Sequence, residues 1–372
     1  MRNRWPASCS SAFCCLVNLS PFALPATGFL RTGRPAESNS QMTDPQKSTT
    51  QHGQAGEPSS HPAPQTIDVV LVNPAAGGGV ARDVLPSLRK LAREQKWHVE
   101  FVVTEGPDDL AARARQAVDH GHRRLFVLGG DGTFQILVNA VSDRREQVVL
   151  GIIPAGGGND LAAALGLPTD PLRAASVLLA HSETCRLDVV RVRTADGHER
   201  LYTGGGGVGL DAEAARFASG IYRNLRGRFR YVLSAIRALL GFRSFRVSIA
   251  IDARASSEVH SRALLVAVLN TPSYGAGIYL APGASTTDGQ LDLVVLEPLS
   301  VFEILAVLPS LWSKGKLNTT HIQRSRVNSV RIETERPSHF HGDGEILGLT
   351  PVEVSVIPQA LCILRASEAD KS

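Results

Sequence analysis

An α/β fold is predicted for this chain: a parallel-sheet α/β domain at 66–183, then a β-rich domain at 184–366, behind a disordered tail at 1–65. Three observations predict it. Short apolar runs alternate with helically spaced apolar residues from Ile67 onward. Three of these runs pass directly into glycine-rich turns. Beyond Cys185 the runs read as strands with few helices between them.

In order, "IDVVLVN" is a strand, "PAAGGG" a turn, Val80 to Gln95 a helix, "HVEFVVT" a strand and Asp108 to His120 a helix. "LFVLGGDGTFQILVNAV" is a buried strand, a bare acidic turn and a helix capped by Thr133. "VVLGII" is a further strand, and "PAGGGNDLAAALGLP" a glycine turn that enters another helix. Strands separated by helices imply right-handed crossovers and a parallel sheet, whose ligands collect outside the carboxyl ends of the strands. The three turns are therefore expected to face one crevice.

The chemistry of the middle turn follows from its residues. Glycines let a ligand approach the main chain, and the helix's first N–H groups and dipole favour an anion. Asp131 would repel a bare phosphate, so the turn predicts a magnesium-bound polyphosphate.

In the second half, "CRLDVVRV", "FRVSIAID", "ALLVAVLN", "LDLVVLE", "RVNSVRIET" and "VEVSVI" read as strands, with helical stretches near 211–241 and 300–312. Two domains with real cores suit 372 residues, 43% of them hydrophobic and 20% charged. Five scattered cysteines exclude a disulfide framework and suit a reducing, cytoplasmic setting. The tail is either a targeting segment or sequence upstream of a start at Met42. Net charge is only +4, but arginines concentrate between Arg216 and Arg246, interleaved with aromatic residues. That pattern suits peripheral contact with an anionic membrane surface, with a solvated helix face as the alternative; nucleic acid is not expected.

"VNPAAGGG", "GGDGTFQILVNAV", "PAGGGNDLAAALGLP", "GGVGLDAEAA", "APGASTTDGQLDLVVL" and "HGDGEILGLTPVEVSVIP" occur in an order and spacing that resemble the diacylglycerol kinase catalytic family. The likeness is to its bacterial soluble lipid kinases, related to sphingosine and ceramide kinases. It implies an NAD-kinase-like nucleotide domain, a C-terminal β-sandwich, and a cleft between them for ATP and lipid. A homodimer is left open.

Carried over residue by residue, the resemblance places the nucleotide on Asn73, Pro74, Ala75, Ala76 and Gly77, and on Gly129, Gly130, Asp131, Gly132, Thr133, Phe134 and Gln135. Gly156, Gly157 and Thr104 complete that set. Asp131 joins the Mg2+ network, and Asp343 or Glu345 of "DGE" is the general base, with Asp343 favoured. A second, structural magnesium falls on Ser285, Asp288 and Gln290. The chain departs from the family pattern at Thr287, where a second acidic residue is usual, and at Gln135, Ile136 and Gly157. The function implied is ATP-dependent phosphorylation of a primary hydroxyl on a diacylglycerol-like or sphingoid lipid. The alternatives are an NAD kinase and a catalytically impaired nucleotide-binding regulator.

Overall fold

The computed structural model describes residues 67–180, 182–210, 233–234, 237–238, 244–252, 259–275, 277–300, 302–303 and 321–367. The tail at 1–65, most of the two helical stretches at 211–241 and 300–312, and the arginines from Arg216 to Arg230 and at Arg243 lie outside them.

The first half is built on four parallel strands. β1 (Asp68–Val72) pairs with β2 (Val99–Val103) on one side and β3 (Arg124–Gly129) on the other, and β3 pairs with β4 (Val149–Pro154). Every residue of β1 is buried, as befits a central strand of a sheet covered on both faces. α1 (Val80–Glu94) and α2 (Pro107–Asp119) are the crossovers. α1 buries Ala81, Leu85, Leu88 and Ala92, a helical stripe that faces the sheet. α3 (Asp131–Ala140) follows β3 and the short α4 (Asp160–Ala164) follows β4, ahead of α5 (Pro171–Ala180). Leu71, Leu88, Leu110, Phe126, Leu137 and Ile152 form a solvent-free core, each contributing about 1.5–3 kcal/mol by burial. Gly151 lets β4 pass the Phe126 ring, since a Cβ there would lie 2.4 Å from Phe126 Cδ1.

Two long antiparallel strands join the halves, β5 (Ser182–Thr194) and β16 (Val352–Ala366), with a register shift between Ile357 and Leu361. The far end of β16 adds in parallel to β4, while its near end pairs with β13 (Ser329–Thr334). One sheet therefore runs β2-β1-β3-β4-β16-β13-β8-β9, with β8 at Phe245–Ile251 and β9 at Val259–Ala263. β6 (Glu199–Tyr202) is bonded to β5.

The second sheet holds six strands: β7 (Gly205–Gly209), β10 (Leu265–Leu269), β11 (Leu291–Leu296), β12 (Ile322–Val327), β14 (His339–Gly342) and β15 (Glu345–Leu349), ordered β12-β11-β10-β7-β14-β15. Val192, Ile249, Ile332 and Val354 of the first sheet meet Val208, Val266, Leu293 and Phe340 of the second in one apolar layer. The fold is thus a mixed α/β chain, a nucleotide-type α/β half followed by a β-sandwich. Neither Cys185 nor Cys362 forms a disulfide. Among the described residues no helix is long and apolar enough to cross a membrane.

One strand expectation needs correction. "RVNSVRIET" is not one strand but parts of two, and the break at Asn328 has a local cause. Asp252 Oδ1 accepts the N–H groups of Asn328 and Ser329 at 3.0 and 2.9 Å, so the chain turns there and changes sheets. β7, a glycine run with little strand propensity of its own, is a central strand because its neighbours leave no room for side chains. A Cβ on Gly206 would lie 2.4 Å from His341 O.

Candidate active site

The three glycine turns, at the ends of β1, β3 and β4, pack against one another. Asn73 Nδ2 donates to Thr133 Oγ1 at 2.9 Å, and Asn73 Oδ1 accepts the Ala75 N–H at 3.0 Å. Pro74, Ala75 and Ala76 lead into a tight turn at Ala76–Gly78 in which Gly77 has φ 62°. A Cβ on Gly77 would lie 2.3 Å from Ala155 O, and one on Gly156 would lie 2.5 Å from Gly130 Cα. Gly129 is held as closely, 2.6 Å from the Thr133 Cβ on the same measure. Gly157 is half-buried in the third turn.

α3 begins at Asp131 with Gly130 as its cap, three residues earlier than a Thr133 cap would place it. Its first intrahelical bond is Phe134 N–H to Gly130 O, 3.0 Å. The amides of Asp131, Gly132 and Thr133 precede that bond and, with the helix dipole, make the turn receptive to an anion. Phe134 and Gln135 follow on α3, and both side chains are buried. Thr104 is also buried, and its hydroxyl donates to Val72 O at 2.8 Å, closing the end of the sheet.

Carboxylates gather beside these turns. Asp131 caps α4, accepting the N–H groups of Asp160 and Leu161 at 3.2 Å each. Burial, then the charges of Asp160 and Asp343, push Asp131 up to about 7. Asp160 is itself buried and accepts Ser273 Oγ–H at 2.6 Å and Gly277 N–H at 3.0 Å. Sequence reasoning left Asp160 and Ser273 unassigned. The signal for Asp160 was its place at a helix start directly after a glycine turn.

"DGE" forms a two-residue hairpin between β14 and β15. Asp343 and Gly344 both have positive φ, 50° and 89°, as primed turns require. The Asp343 carboxylate is fully engaged: Oδ2 accepts Thr203 N–H at 2.8 Å and Thr203 Oγ1–H at 3.0 Å, and Oδ1 accepts the N–H groups of Gly204 and Gly205 at 2.9 and 3.2 Å. Burial outweighs these donors and lifts Asp343 to about 6. Burial alone raises Glu345 above the usual carboxylate range. The hairpin stands beside the Gly129–Thr133 turn, since a Cβ on Gly132 would lie 3.2 Å from Asp343 O and 3.3 Å from Glu345 Oε1.

Magnesium fits the first of its two expected sites. Asp160 and Asp343 both press on Asp131 with like charge, a repulsion that a hard cation beside Asp131 and Asp160 would relieve, the Asp343 oxygens being taken by Thr203, Gly204 and Gly205. Among the described residues no three His, Cys, Asp or Glu side chains are spaced to hold a metal alone. The ion would therefore rest on one or two carboxylates and the substrate's phosphates, its usual manner of binding. The expected second site at Ser285, Asp288 and Gln290 does not fit, because its one carboxylate already pairs with Arg326 at 3.3 Å.

An α/β nucleotide turn set facing an acidic hairpin on a β-sandwich defines a phosphotransferase of the kinase class. Residues 68–192 match the diacylglycerol kinase catalytic domain, and residues 206–365 match the YegS C-terminal NAD kinase beta sandwich-like domain. A diacylglycerol kinase from Mycobacterium tuberculosis is 29% identical over 297 residues, covering 79% of this chain and 94% of the relative. One from Bacillus subtilis is 25% identical over 284 residues, covering 76% and 91%. A crystal structure described as a diacylglycerol kinase from Bacillus anthracis shares the fold, with a TM-score of 0.62 at 20% identity, covering 82% of this chain and 98% of that one. The chain belongs to the diacylglycerol kinase catalytic family and is a lipid kinase.

Proposed function

We propose that the protein transfers the terminal phosphate of ATP, as its magnesium complex, to a primary hydroxyl of a diacylglycerol-like or sphingoid lipid. The observation that carries this reading is the approach of Asp343 O and Glu345 Oε1 to within 3.2 and 3.3 Å of where a Gly132 Cβ would stand, which sets an acidic hairpin beside the start of α3. The nucleotide would lie along Asn73–Gly77, Gly129–Thr133 and Gly156–Gly157 with its terminal phosphate toward the α3 amides. Asp131 and Asp160 would hold the magnesium, which neutralises phosphate charge.

Glu345 takes the hydroxyl proton as the lipid oxygen attacks. Its raised proton affinity, caused by burial, brings it nearer neutrality and makes it a better acceptor than an ordinary carboxylate. Asp343, favoured from sequence, acts instead as a positioning residue, because its oxygens are taken by Thr203, Gly204 and Gly205. The arginine-rich sequence between Arg216 and Arg246 supports work at an anionic membrane surface.

The test is to incubate the purified chain with labelled ATP, magnesium and a lipid extract, and to identify the labelled product. A phospholipid bearing the label is expected. Formation of NADP from NAD instead would make the protein an NAD kinase. ATP binding without turnover on any lipid would make it a regulator, the reading that Gln135, Ile136 and Gly157 favour.

A further inference from the structure

The turn at 283–290 carries two aspartates close by, Asp288 within it and Asp292 just beyond on β11, and two arginines from β12 face them. Arg326 stands opposite Asp292 in the strand register. Its Nη2 lies 3.3 Å from Asp288 Oδ2 and donates to Gly283 O at 3.0 Å, while Nη1 donates to Gln290 Oε1 at 3.2 Å. The other Asp288 oxygen accepts Gln290 N–H at 3.1 Å. Arg324 Nε donates to Leu280 O at 2.8 Å; burial raises the Asp292 carboxyl above its ordinary value, and the charges of Arg326 and Arg324 offset this only in part. One guanidinium thus straps the turn at Gly283, Asp288 and Gln290, and the local charges already balance.

The opposite side of the turn is anchored without a cation as well. Asp188, completely buried, accepts the N–H groups of Gly289 at 2.6 Å and Gln359 at 2.7 Å, and its own N–H donates to Thr286 O at 2.7 Å. Magnesium bound here would rest on the Asp288 carboxylate, carbonyls and water, and would meet like charge from Arg326. Thr287 supplies no carboxylate where the family pattern has one.

We propose that Arg326 stands in for the structural divalent cation at the 283–290 turn, so that the turn is built and held without a metal. The lipid identity does not enter this inference. The magnesium dependence of the protein then arises at the nucleotide alone.

The test is thermal unfolding of the nucleotide-free full-length chain in EDTA and in magnesium, for the parent, Asp288→Asn, Arg326→Gln and Arg326→Lys. Parent and Asp288→Asn are expected to respond to magnesium by the same shift, since any ion bound elsewhere affects both alike. In EDTA, Arg326→Gln should lose about 2 °C or more of Tm, and Arg326→Lys less. A magnesium shift present in the parent and absent in Asp288→Asn would overturn the proposal, as would an Arg326→Gln protein as stable in EDTA as the parent. If Arg326→Gln fails to fold, the comparison of parent with Asp288→Asn decides alone.

Discussion

Asp343→Asn and Glu345→Gln, two isosteric changes one glycine apart, should fail in different ways. Asp343 accepts two donors on each oxygen, from Thr203 on one and from Gly204 and Gly205 on the other. An asparagine that turns its NH2 toward Gly204 and Gly205 loses two charge-assisted bonds; turned toward Thr203 it loses the bond from the Thr203 N–H, while the hydroxyl can rotate and accept. At about 1.5–3 kcal/mol for each bond, the loss is about 1.5–6 kcal/mol. For a chain of this size that lowers Tm by roughly 3 °C or more. Glu345→Gln removes a charge that burial already disfavours, so the variant should be at least as stable as the parent. Turnover of lipid should nevertheless fall by about 100- to 10,000-fold, with nucleotide affinity intact. The assays are thermal unfolding, steady-state lipid phosphorylation and calorimetric nucleotide binding on the same preparations. Asp343→Asn turning over slowly would decide nothing, since a displaced hairpin also slows chemistry; its Tm is the discriminating readout. An Asp343→Asn protein as stable as the parent, or a Glu345→Gln protein with the parent's turnover, would refute the division of roles.

Asp131, raised from 3.8 to about 7, prefers its neutral form in the native state. Its contribution to stability is therefore present at acid pH and lost as pH rises from the unfolded value through about 7. The Tm of the nucleotide-free protein should fall over that window relative to Asp131→Asn, and magnesium-nucleotide binding should release a proton, seen by calorimetry in buffers of different ionisation enthalpy and absent in the variant. Asn73→Ala cuts the bridge to Thr133 and frees the Ala75 N–H, so it should cost about 1–3 kcal/mol in unfolding experiments and raise the nucleotide KM more than it lowers kcat.

Much of the first half was legible because β1, β3 and β4 are continuous apolar runs closed by glycine turns, a pattern that local sequence imposes. β7 was not, since a run of glycines becomes a strand only where Tyr202, Phe340 and the His341 carbonyl occupy the space that side chains would take. The break at Asn328 depends on Asp252, which is remote in sequence. In the site, Asp131 declared itself by its turn. Asp160 did not, because its role appears only when Ser273 and Gly277 arrive from the other half. Asp343 and Glu345 are chemically equivalent in a string of letters. Thr203, Gly204 and Gly205 separate them, and nothing near the hairpin in sequence points to those donors.

The pairing of β16 with both β4 and β13 means that the chain has no cut point. An N-terminal fragment ending near 183 would leave β4 as a naked edge with its inward N–H and C=O groups unpaired, a template for association with other chains. A C-terminal fragment would carry the matching half-strand, Leu361–Ala366, with nothing to lie against except β5. Any motion that opens or closes the crevice must accordingly twist two continuous ribbons near Pro358 and Gln359, where the register already slips, and not swing on a loose connector.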